Sequence, residues 1–189
     1  MNTETLTSAQ TATEVQTYTI DPAHSTIEFK VRHLGFSKVT GRFGTFTGTI
    51  HYAPGHFDSI EVDVTIDASS IDTRDESRDT HLRSGDFFDV EKHNELHYQS
   101  GGVKNGSDDS FTLAGDLTIR GVTRPIDLKV NYLGEADDPW GGKRIAFDAR
   151  GKINRRDYGL TWNTVLESGG LLVGDDIEIN LDVQAVLNT

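Results

Sequence analysis

The sequence predicts an all-β fold of antiparallel strands, and three observations support this prediction. From about residue 24 onward apolar and polar residues alternate, with the period of a half-buried strand. Several of the alternating segments are joined by short turns such as "RGVT". Helical crossovers of the length that a parallel sheet requires are missing between most of them. Eight such strands can form either a closed barrel or a sandwich of two sheets.

The first two strands are predicted in residues 25–50. "STIEFKVRH" alternates cleanly, whereas "HLGFSKVTGRFGTFTGTI" combines three phenylalanines with four glycines. Phe43 and Phe46 are an odd number of residues apart, so one regular strand would point them to opposite faces. A bulge or sharp bend is expected between them, since glycine permits one and a coiled barrel strand needs one. The inward row of the first strand is Ile27, Phe29, Val31 and His33.

Six further strands continue the alternation to the end of the chain. Their apolar rows lie within residues 60–66, 96–98, 111–119, 122–132, 145–153 and 177–185. Gly115, Ala149 and Gly151 fall on inward rows, which is consistent with space in the middle of a barrel, and alternation alone leaves open whether neighbouring side chains fill that space.

Residues 69–93 interrupt the alternation, and residues 75–83 are typical of a short polar helix. The apolar anchors of this segment are Leu82, Phe87 and Phe88. We interpret the segment as a lid over one barrel end. The two phenylalanines are then either plain packing or part of a mouth through which a ligand enters.

Length and charge limit the classes of function. The chain of 189 residues suits one domain, predicted at residues 18–189, behind a polar segment 1–17 that is typical of a disordered tail. A net charge of −12 argues against nucleic acid as a partner and against a polybasic membrane anchor. Without an apolar leader or spanning segment, we expect a cytoplasmic protein with no stable membrane insertion, or a periplasmic one if a leader was removed.

No motif in the sequence requires an enzyme, a metal or a cofactor. The chain has no cysteine, and "HNELH" places His93 and His97 about 13 Å apart if they lie on a strand, which is too far for one zinc ion. His24 and Asp21 beside Ser25 leave a serine triad open, but no Gly-x-Ser-x-Gly elbow is present. Metal and catalytic residues are therefore predicted to be absent.

Cations on inward rows are the most informative polar residues. By alternation Arg124 shares a face with Val122, Ile126 and Leu128, and a buried arginine needs an anionic partner. It is either half of a salt bridge that plugs the barrel end or an anchor for a polar ligand head, and His33 admits the same two interpretations. Arg155 and Arg156, in the turn "NRRDYGL", are either surface charges or headgroup contacts.

Five segments in the same order make the chain resemble the YceI-like proteins, also described as polyisoprenoid-binding, lipocalin-like proteins. They cover about residues 18–187 and read "IDPAHSTIEFKVRHLGFSKVTGRFGTFTGTI", "SIDTRDESRDTHLRSGDFFD", "GDLTIRGVTRPIDL", "KINRRDYGL" and "IEINLDVQAV". The resemblance implies an eight-stranded antiparallel lipocalin-like barrel whose cavity holds a long amphiphilic lipid, tail inside and head at the mouth. It also implies a possible homodimer and no catalytic residue.

These observations lead to a functional hypothesis. We expect a carrier or sequestering protein for an isoprenoid-type lipid such as a quinone, a prenol or a polyprenyl phosphate. The alternatives are an enzyme acting on a lipid or amide, with His24 or His33 as acid or base, and a ligand-free interaction module with a solid core. The residues expected to line the tail tunnel are Phe29, Phe43, Phe46, Phe111, Leu117, Leu128 and Phe147. Those expected at the mouth are His33, Phe36, Phe87, Phe88, Arg124 and Trp162.

Overall fold

The computed structural model describes residues 14–107, 109–139, 141–167 and 169–188, and most of its regular structure is β-sheet. The helical elements are α1 (Glu76–Arg83) and two 3-10 turns, Ala68–Ser70 and Arg155–Tyr158. The strands are β1 (Gln16–Ile20), β2 (Thr26–His33), β3 (Ser37–Phe43), β4 (Phe46–Ala53), β5 (His56–Asp67), β6 (Ile71–Asp72), β7 (Glu95–Ser107), β8 (Ser110–Ile119), β9 (Val122–Asp137), β10 (Lys143–Asn154) and β11 (Val173–Leu187).

Eight of these strands form a closed antiparallel ring in the order β1, β4, β5, β7, β8, β9, β10 and β11. The ring closes because β11 pairs with β1 through residues 185–187 and with β2 through residues 173–182. The strands β1 and β2 therefore behave as two halves of one bent strand. Strands β3 and β4 form a second bent strand beside it, since β3 pairs with β2, and β4 pairs with β1 on one side and with β5 on the other. The prediction of an eight-stranded antiparallel barrel is confirmed, and the alternative of a two-sheet sandwich is wrong.

The bend predicted between Phe43 and Phe46 is present. Strand β3 ends at Phe43, β4 begins at Phe46, and both side chains are buried in the core. The backbone between them is fixed by hydrogen bonds, since the Gly44 N–H donates to the Ser70 carbonyl at 3.1 Å and Thr45 accepts from the Asp67 N–H at 2.9 Å. The bend thus brings two large aromatic rings to the same interior.

The bend does not depend on glycine itself. Gly44 has no left-handed φ, and a Cβ there would have the Ser70 carbonyl oxygen as its nearest neighbour, at 3.8 Å. Gly41 is different, because an added Cβ would come within 2.2 Å of the Phe29 ring. Glycine in this stretch therefore serves close packing more than it serves the turn.

The structure has a strand, β1, ahead of the first strand that the sequence indicated. Gln16 and Thr17, which we expected in a disordered tail, pair with Tyr52 and His51 of β4. These two polar residues belong to a strand because β1 completes the ring, and their backbone N–H and C=O groups are available for hydrogen bonds with the neighbouring strand. The remainder of the predicted tail, residues 1–13, lies outside the described residues.

The predicted helix is confirmed as α1. The Asp75 side chain caps it by accepting from the Arg78 N–H, which satisfies a backbone donor that the first turn leaves free. Of the helices in the described part of the chain, none has the length and apolar character needed to cross a membrane.

Candidate functional site

An apolar cavity of about 240 Å³ lies inside the barrel. Well-packed interiors rarely contain voids larger than a water molecule, so this space is a feature of the fold rather than a packing defect. At about 3.3 Å per residue, the stretch of β11 from Ile177 to Val183 alone gives the cavity a wall about 20 Å long. The cavity contradicts the alternative of a solid core.

One end of the barrel is closed by stacked aromatic rings, which we call the aromatic plug. Phe57 stacks on Tyr52 and on Phe111, each with ring centroids 5.2 Å apart, and lies 5.1 Å from Tyr132. Tyr132 in turn packs against Phe147 at 5.4 Å. Such tilted and stacked pairs stabilise one another beyond the area that they bury. The plug leaves the opposite end as the place where a ligand would enter.

The opposite end, which we call the helix end, is covered by α1 and the residues that follow it. Leu82, Phe87 and Phe88 all line the cavity, so the predicted apolar anchors of the lid are in place. Phe88 packs edge-on against Phe43 at 5.8 Å, and Phe87 lies 5.4 Å from Trp162.

The lid is tied to the barrel by a buried carboxylate. Asp79 on α1 is only 3% exposed, and it accepts hydrogen bonds from the Thr73 N–H at 3.0 Å and from the Thr73 hydroxyl. Arg78 donates to the carbonyl oxygen of Thr73 at 2.8 Å. Arg83 donates to the carbonyl of Ile71 at 3.0 Å. These bonds fix α1 across the barrel end, although the helix is short and polar.

Most of the predicted tunnel residues line the cavity. They are Phe29, Phe43, Phe46, Leu117, Leu128 and Phe147. Phe111 is buried but does not line the cavity, because it stacks within the aromatic plug. Whether any of these side chains contacts a ligand stays a prediction.

The remaining predicted mouth residues belong to segments that meet at the helix end: the strand registers place His33, Phe36 and Arg124 there, and ring contacts with the lid place Trp162 there. None of these four lines the cavity. Trp162 is half-buried, and its ring lies 4.6 Å from that of His81 on the lid. Phe36 is 78% exposed in the turn between β2 and β3, so it projects outward beyond the barrel rim.

The expectation of a buried Arg124 is wrong. Its backbone is in the predicted phase, opposite the inward Leu117, but the position lies so close to the strand end that the guanidinium reaches solvent. Alternation assigns a residue to a face of the sheet and does not say whether the barrel continues above it.

The buried cation is Arg155, which is 4% exposed and lines the cavity. Its guanidinium donates to the carbonyls of Leu160 at 2.6 Å, Trp162 at 2.9 Å and Gly174 at 2.9 Å, and it pairs with Asp175 at 3.2 Å. Burial lowers its pKa from the ordinary value, and the Asp175 carboxylate opposes that shift. Arg155 therefore holds the segment after β10 against the start of β11, with its donors already used.

Tyr98 and Tyr158 line the cavity and are among the lining residues that sequence reasoning did not assign to the tunnel or the mouth. The Tyr98 ring lies over Gly115, where an added Cβ would be 2.6 Å from the ring. At Gly151 a Cβ would be 2.7 Å from Leu128. Of the two alternatives that alternation left open at these glycines, the structure shows the second, because neighbouring side chains fill the volume above both.

The residues considered for catalysis have structural partners. His24 Nδ1 lies 2.8 Å from Asp21, and the Ser25 hydroxyl donates to the Gln184 carbonyl at 3.2 Å. Neither His24 nor His33 lines the cavity. His97 pairs with Asp63 at 3.0 Å, and the structure as described brings no three His, Cys, Asp or Glu side chains close enough to hold a metal ion.

The fold and the site define a class: a closed antiparallel barrel with an apolar interior, plugged at one end and covered by a short helix at the other. Comparison with known proteins identifies the family. The model of the YceI-like domain matches residues 18–185, and the chain belongs to this family.

Three relatives illustrate the match. The protein YceI of Escherichia coli O17:K52:H18 is 41% identical over 137 residues, which are 72% of this chain and 71% of that protein. The crystal structure of the Campylobacter jejuni YceI protein has a TM-score of 0.71 and 29% identity, with both chains covered in full. A polyisoprenoid-binding domain from Saccharophagus degradans shares the fold with a TM-score of 0.69 at 18% identity, over 93% of this chain and all of that one.

Proposed function

We propose that this protein binds a long-chain isoprenoid-type lipid in the barrel cavity and carries or sequesters it. The observation that supports the proposal is the cavity itself, a long apolar space inside a closed barrel. A structurally similar domain from Saccharophagus degradans is described as polyisoprenoid-binding.

The energetics favour a long apolar ligand. Each methylene group transferred from water into an apolar site contributes about 0.8 kcal/mol. A single aqueous lipid tail cannot be shielded on a flat surface, whereas a closed tube covers it on all sides. The apolar residues of β2, β11 and the strands between β7 and β10 supply such a wall, so a tail of many methylene units would be retained firmly.

The geometry suggests how the lipid enters and leaves. The aromatic plug closes one end, so the tail would point toward Phe147 and the head toward the helix end. Leu82, Phe87 and Phe88 would then have to move aside, because they cover the cavity from the lid. Binding and release would be coupled to displacement of α1.

The experiment is mass spectrometry of the organic extract from purified protein, repeated on a variant with a narrowed cavity. Ala149 lines the cavity, so Ala149→Leu should reduce the amount of bound lipid at least tenfold while the barrel stays folded. Ala114→Leu is the matched control, because Ala114 lies on β8 between the inward Leu113 and Gly115 and faces outward.

Two results would contradict the proposal. The first is an extract free of any apolar molecule, together with failure of the delipidated protein to bind added prenols. The second is equal lipid content in Ala149→Leu, Ala114→Leu and the unaltered protein, which would place the lipid outside the cavity.

A further inference from the structure

Exposed apolar side chains are gathered on two neighbouring loops at the helix end. Six large apolar side chains are exposed among the described residues, and four of them lie in these loops. The turn between β2 and β3 contributes Leu34 and Phe36, and the loop before β11 contributes Val165, which is 77% exposed, and Leu171. We call these four residues the tip patch. Single exposed apolar residues are ordinary, whereas a cluster of them marks a surface that meets an apolar partner.

Backbone hydrogen bonds hold the two loops side by side. The Leu34 N–H donates to the Leu172 carbonyl at 2.9 Å, and the Leu172 N–H donates to the Thr164 carbonyl at 2.9 Å. Val165 pairs with Leu171 across the second loop. The tip patch therefore comes from adjacent stretches of backbone and belongs to one surface.

The turn that carries Phe36 gains little for the fold from its apolar residues. Leu34 has a left-handed backbone, with a φ of 55°, and this conformation favours glycine or asparagine over a bulky apolar residue. The Phe36 ring is exposed, so it adds little to the packing of the barrel. Polar residues would form the same hairpin, and the apolar character of the turn is therefore explained by contact with something outside the barrel.

The outer face of the same hairpin is cationic, although the chain as a whole has a net charge of −12. Two carboxylates, Glu28 and Glu178, pair with three of the four cations on this face. Arg32, next to the turn, instead donates to the Gly35 carbonyl at 3.4 Å, and it lies directly opposite Lys38, a like charge that repels it. The four cations are Lys30, Arg32, Lys38 and Arg42. Excess positive charge thus lies beside the tip patch.

The tip patch borders the covered mouth of the cavity. His33, next to Leu34, pairs with Val173, and Val173 lines the cavity. The second loop follows Trp162, whose ring lies 4.6 Å from that of His81 on the lid. A partner that covers the tip patch therefore also lies beside the lid.

These features suit a lipid bilayer better than a second protein chain. Phe36 and Val165 stand on loops, where an apolar side chain can enter the layer between headgroups and acyl chains. Cations behind such a tip lie at the level of anionic headgroups. A specific protein–protein interface uses about 20–30 residues on each side, far more than the tip patch supplies.

We propose that the tip patch docks the barrel reversibly on membranes that contain anionic phospholipids, with the helix end facing the bilayer. Phe36 and Val165 enter the interfacial layer, and Arg32 and Lys38 contact headgroup phosphates. The cavity ligand is then loaded and released at the membrane. This last step rests on the proposed function, whereas docking itself requires no ligand.

The test is flotation of the full-length protein with vesicles of phosphatidylcholine, alone or mixed with phosphatidylglycerol. The mixed vesicles should bind the protein about tenfold more tightly, since two cations near an anionic surface have about that effect when one carboxylate, Glu167 in the second loop, opposes them. Added salt should reduce this difference.

Substitutions locate the docking surface. Phe36→Ser should weaken binding to the mixed vesicles about tenfold and Val165→Ser about threefold, because less apolar area enters the membrane. Leu133→Ser is the matched control, since Leu133 on β9 is also exposed but lies outside the tip patch, and its binding should be unchanged. Arg32→Gln should reduce the preference for the mixed vesicles about fivefold, and Glu167→Gln should increase it.

A fluorescent reporter gives a second measurement without removing the apolar contact. Phe36→Trp should show blue-shifted emission with the mixed vesicles, and brominated acyl chains should quench it. The unaltered protein, with its own two tryptophans, supplies the background spectrum. Emission from position 36 that neither shifts nor is quenched would contradict docking through the tip patch.

Docking and lipid binding fail separately. If neither kind of vesicle binds the protein, or if Phe36→Ser and Leu133→Ser bind equally well, the docking surface is wrong, while lipid in the organic extract still supports the proposed function. If light scattering shows that Phe36→Ser turns a dimer into a monomer, the tip patch joins two copies of the chain and the proposal is also wrong. A lipid-free protein that still docks through Phe36 overturns the proposed function and supports the docking surface.

Discussion

Single residues in this barrel are constrained by what lies directly across the sheet. Phe29 on β2 pairs with Gly41 on β3, and the ring lies over the glycine. Tyr98 on β7 pairs with Leu117 on β8, and its ring lies diagonally over Gly115, two residues along the same strand. The aromatic ring covers the backbone of the glycine, which has no side chain of its own to cover it, and so shields that part of the sheet from water. Glycine and aromatic residue therefore act as a pair.

The first prediction is that Gly41→Ala destabilises the fold and Gly44→Ala does not. A Cβ at position 41 would lie 2.2 Å from the Phe29 ring, so the ring must move and about 1–3 kcal/mol of unfolding free energy should be lost. A Cβ at position 44 would lie 3.8 Å from its nearest neighbour, so Gly44→Ala should change the free energy of unfolding by no more than about 0.5 kcal/mol. Urea unfolding measures both.

A second substitution checks the cause of the loss. Phe29→Leu removes the ring, so adding Gly41→Ala to Phe29→Leu should cost much less than Gly41→Ala alone. Equal losses in the two backgrounds would mean that contact with Phe29 is not the reason.

Asp21, just after β1, gives a prediction for pH. Its carboxylate accepts from Arg144 at 2.7 Å and from the Ala23 N–H at 3.0 Å, and it lies 2.8 Å from His24 Nδ1. The Arg144 guanidinium, followed by His24, lowers the pKa of Asp21 from 3.8 to about 2. Since the folded pKa is the lower one, this stabilisation is present above about pH 4 and is lost as the pH falls toward 2.

Asp21→Asn should therefore reduce the free energy of unfolding by about 1–2 kcal/mol at neutral pH. The difference from the unaltered protein should shrink toward zero between about pH 4 and pH 2, when measured by urea unfolding at each pH. Asp58→Asn is the control, because Asp58 is exposed in β5 and makes no ion pair with any described residue. A constant difference down to pH 2 would show that the Asp21 charge is not responsible.

At the scale of elements, the sequence predicted strands better than it predicted their ends. Alternation identified the inward rows, and the composition of residues 75–83 identified α1. Arg124 shows the limit, because its phase was right while its exposure depends on where neighbouring segments stop. Arg155 shows the converse, since a charged residue in a turn is buried only by Leu160, Trp162 and β11 folding over it. Contacts between segments that are distant in the sequence determine the exposure of both arginines, and a local sequence pattern carries no information about such contacts.

The lid provides a prediction at this scale. Asp79 binds both the backbone and the hydroxyl of Thr73, and these bonds hold α1 across the cavity. In Asp79→Asn the side chain keeps its shape but points an NH₂ group at one of these donors, which should cost about 1–3 kcal/mol locally. We expect bound lipid to dissociate at least fivefold faster, as measured by transfer to acceptor vesicles.

Glu76→Gln on the same helix is the matched control. Glu76 is exposed and pairs with Arg83 at 3.2 Å, so the substitution changes helix charge without touching the buried bonds. Faster release from Glu76→Gln than from Asp79→Asn would indicate that helix charge, and not the Asp79 anchor, controls the lid.

For the whole molecule, closure of the ring explains how a chain of modest hydrophobicity supports a large apolar interior. Only one face of each ring strand needs apolar residues, and joining β11 to β1 removes the free edges within the eight-strand ring. The acidic residues that give the net charge of −12 can then occupy the outer face, in contact with water and away from the apolar interior. The same closure leaves space along the axis that neighbouring side chains do not fill.

An unfilled apolar interior makes the stability of the molecule depend on its ligand. A lipid that binds only the folded barrel should stabilise it by about 2.7 kcal/mol when its free concentration is a hundredfold above Kd. For a domain of this size, that corresponds to a rise of about 5–10 °C in Tm. Organic extraction followed by refolding should lower Tm by this amount, and added prenol should restore it in calorimetry. The Tm of Ala149→Leu should rise much less on addition of prenol, because the larger side chain narrows the cavity. A delipidated protein as stable as the loaded one would mean that the interior needs no guest, and the binding function would then have to be sought on the outer surface.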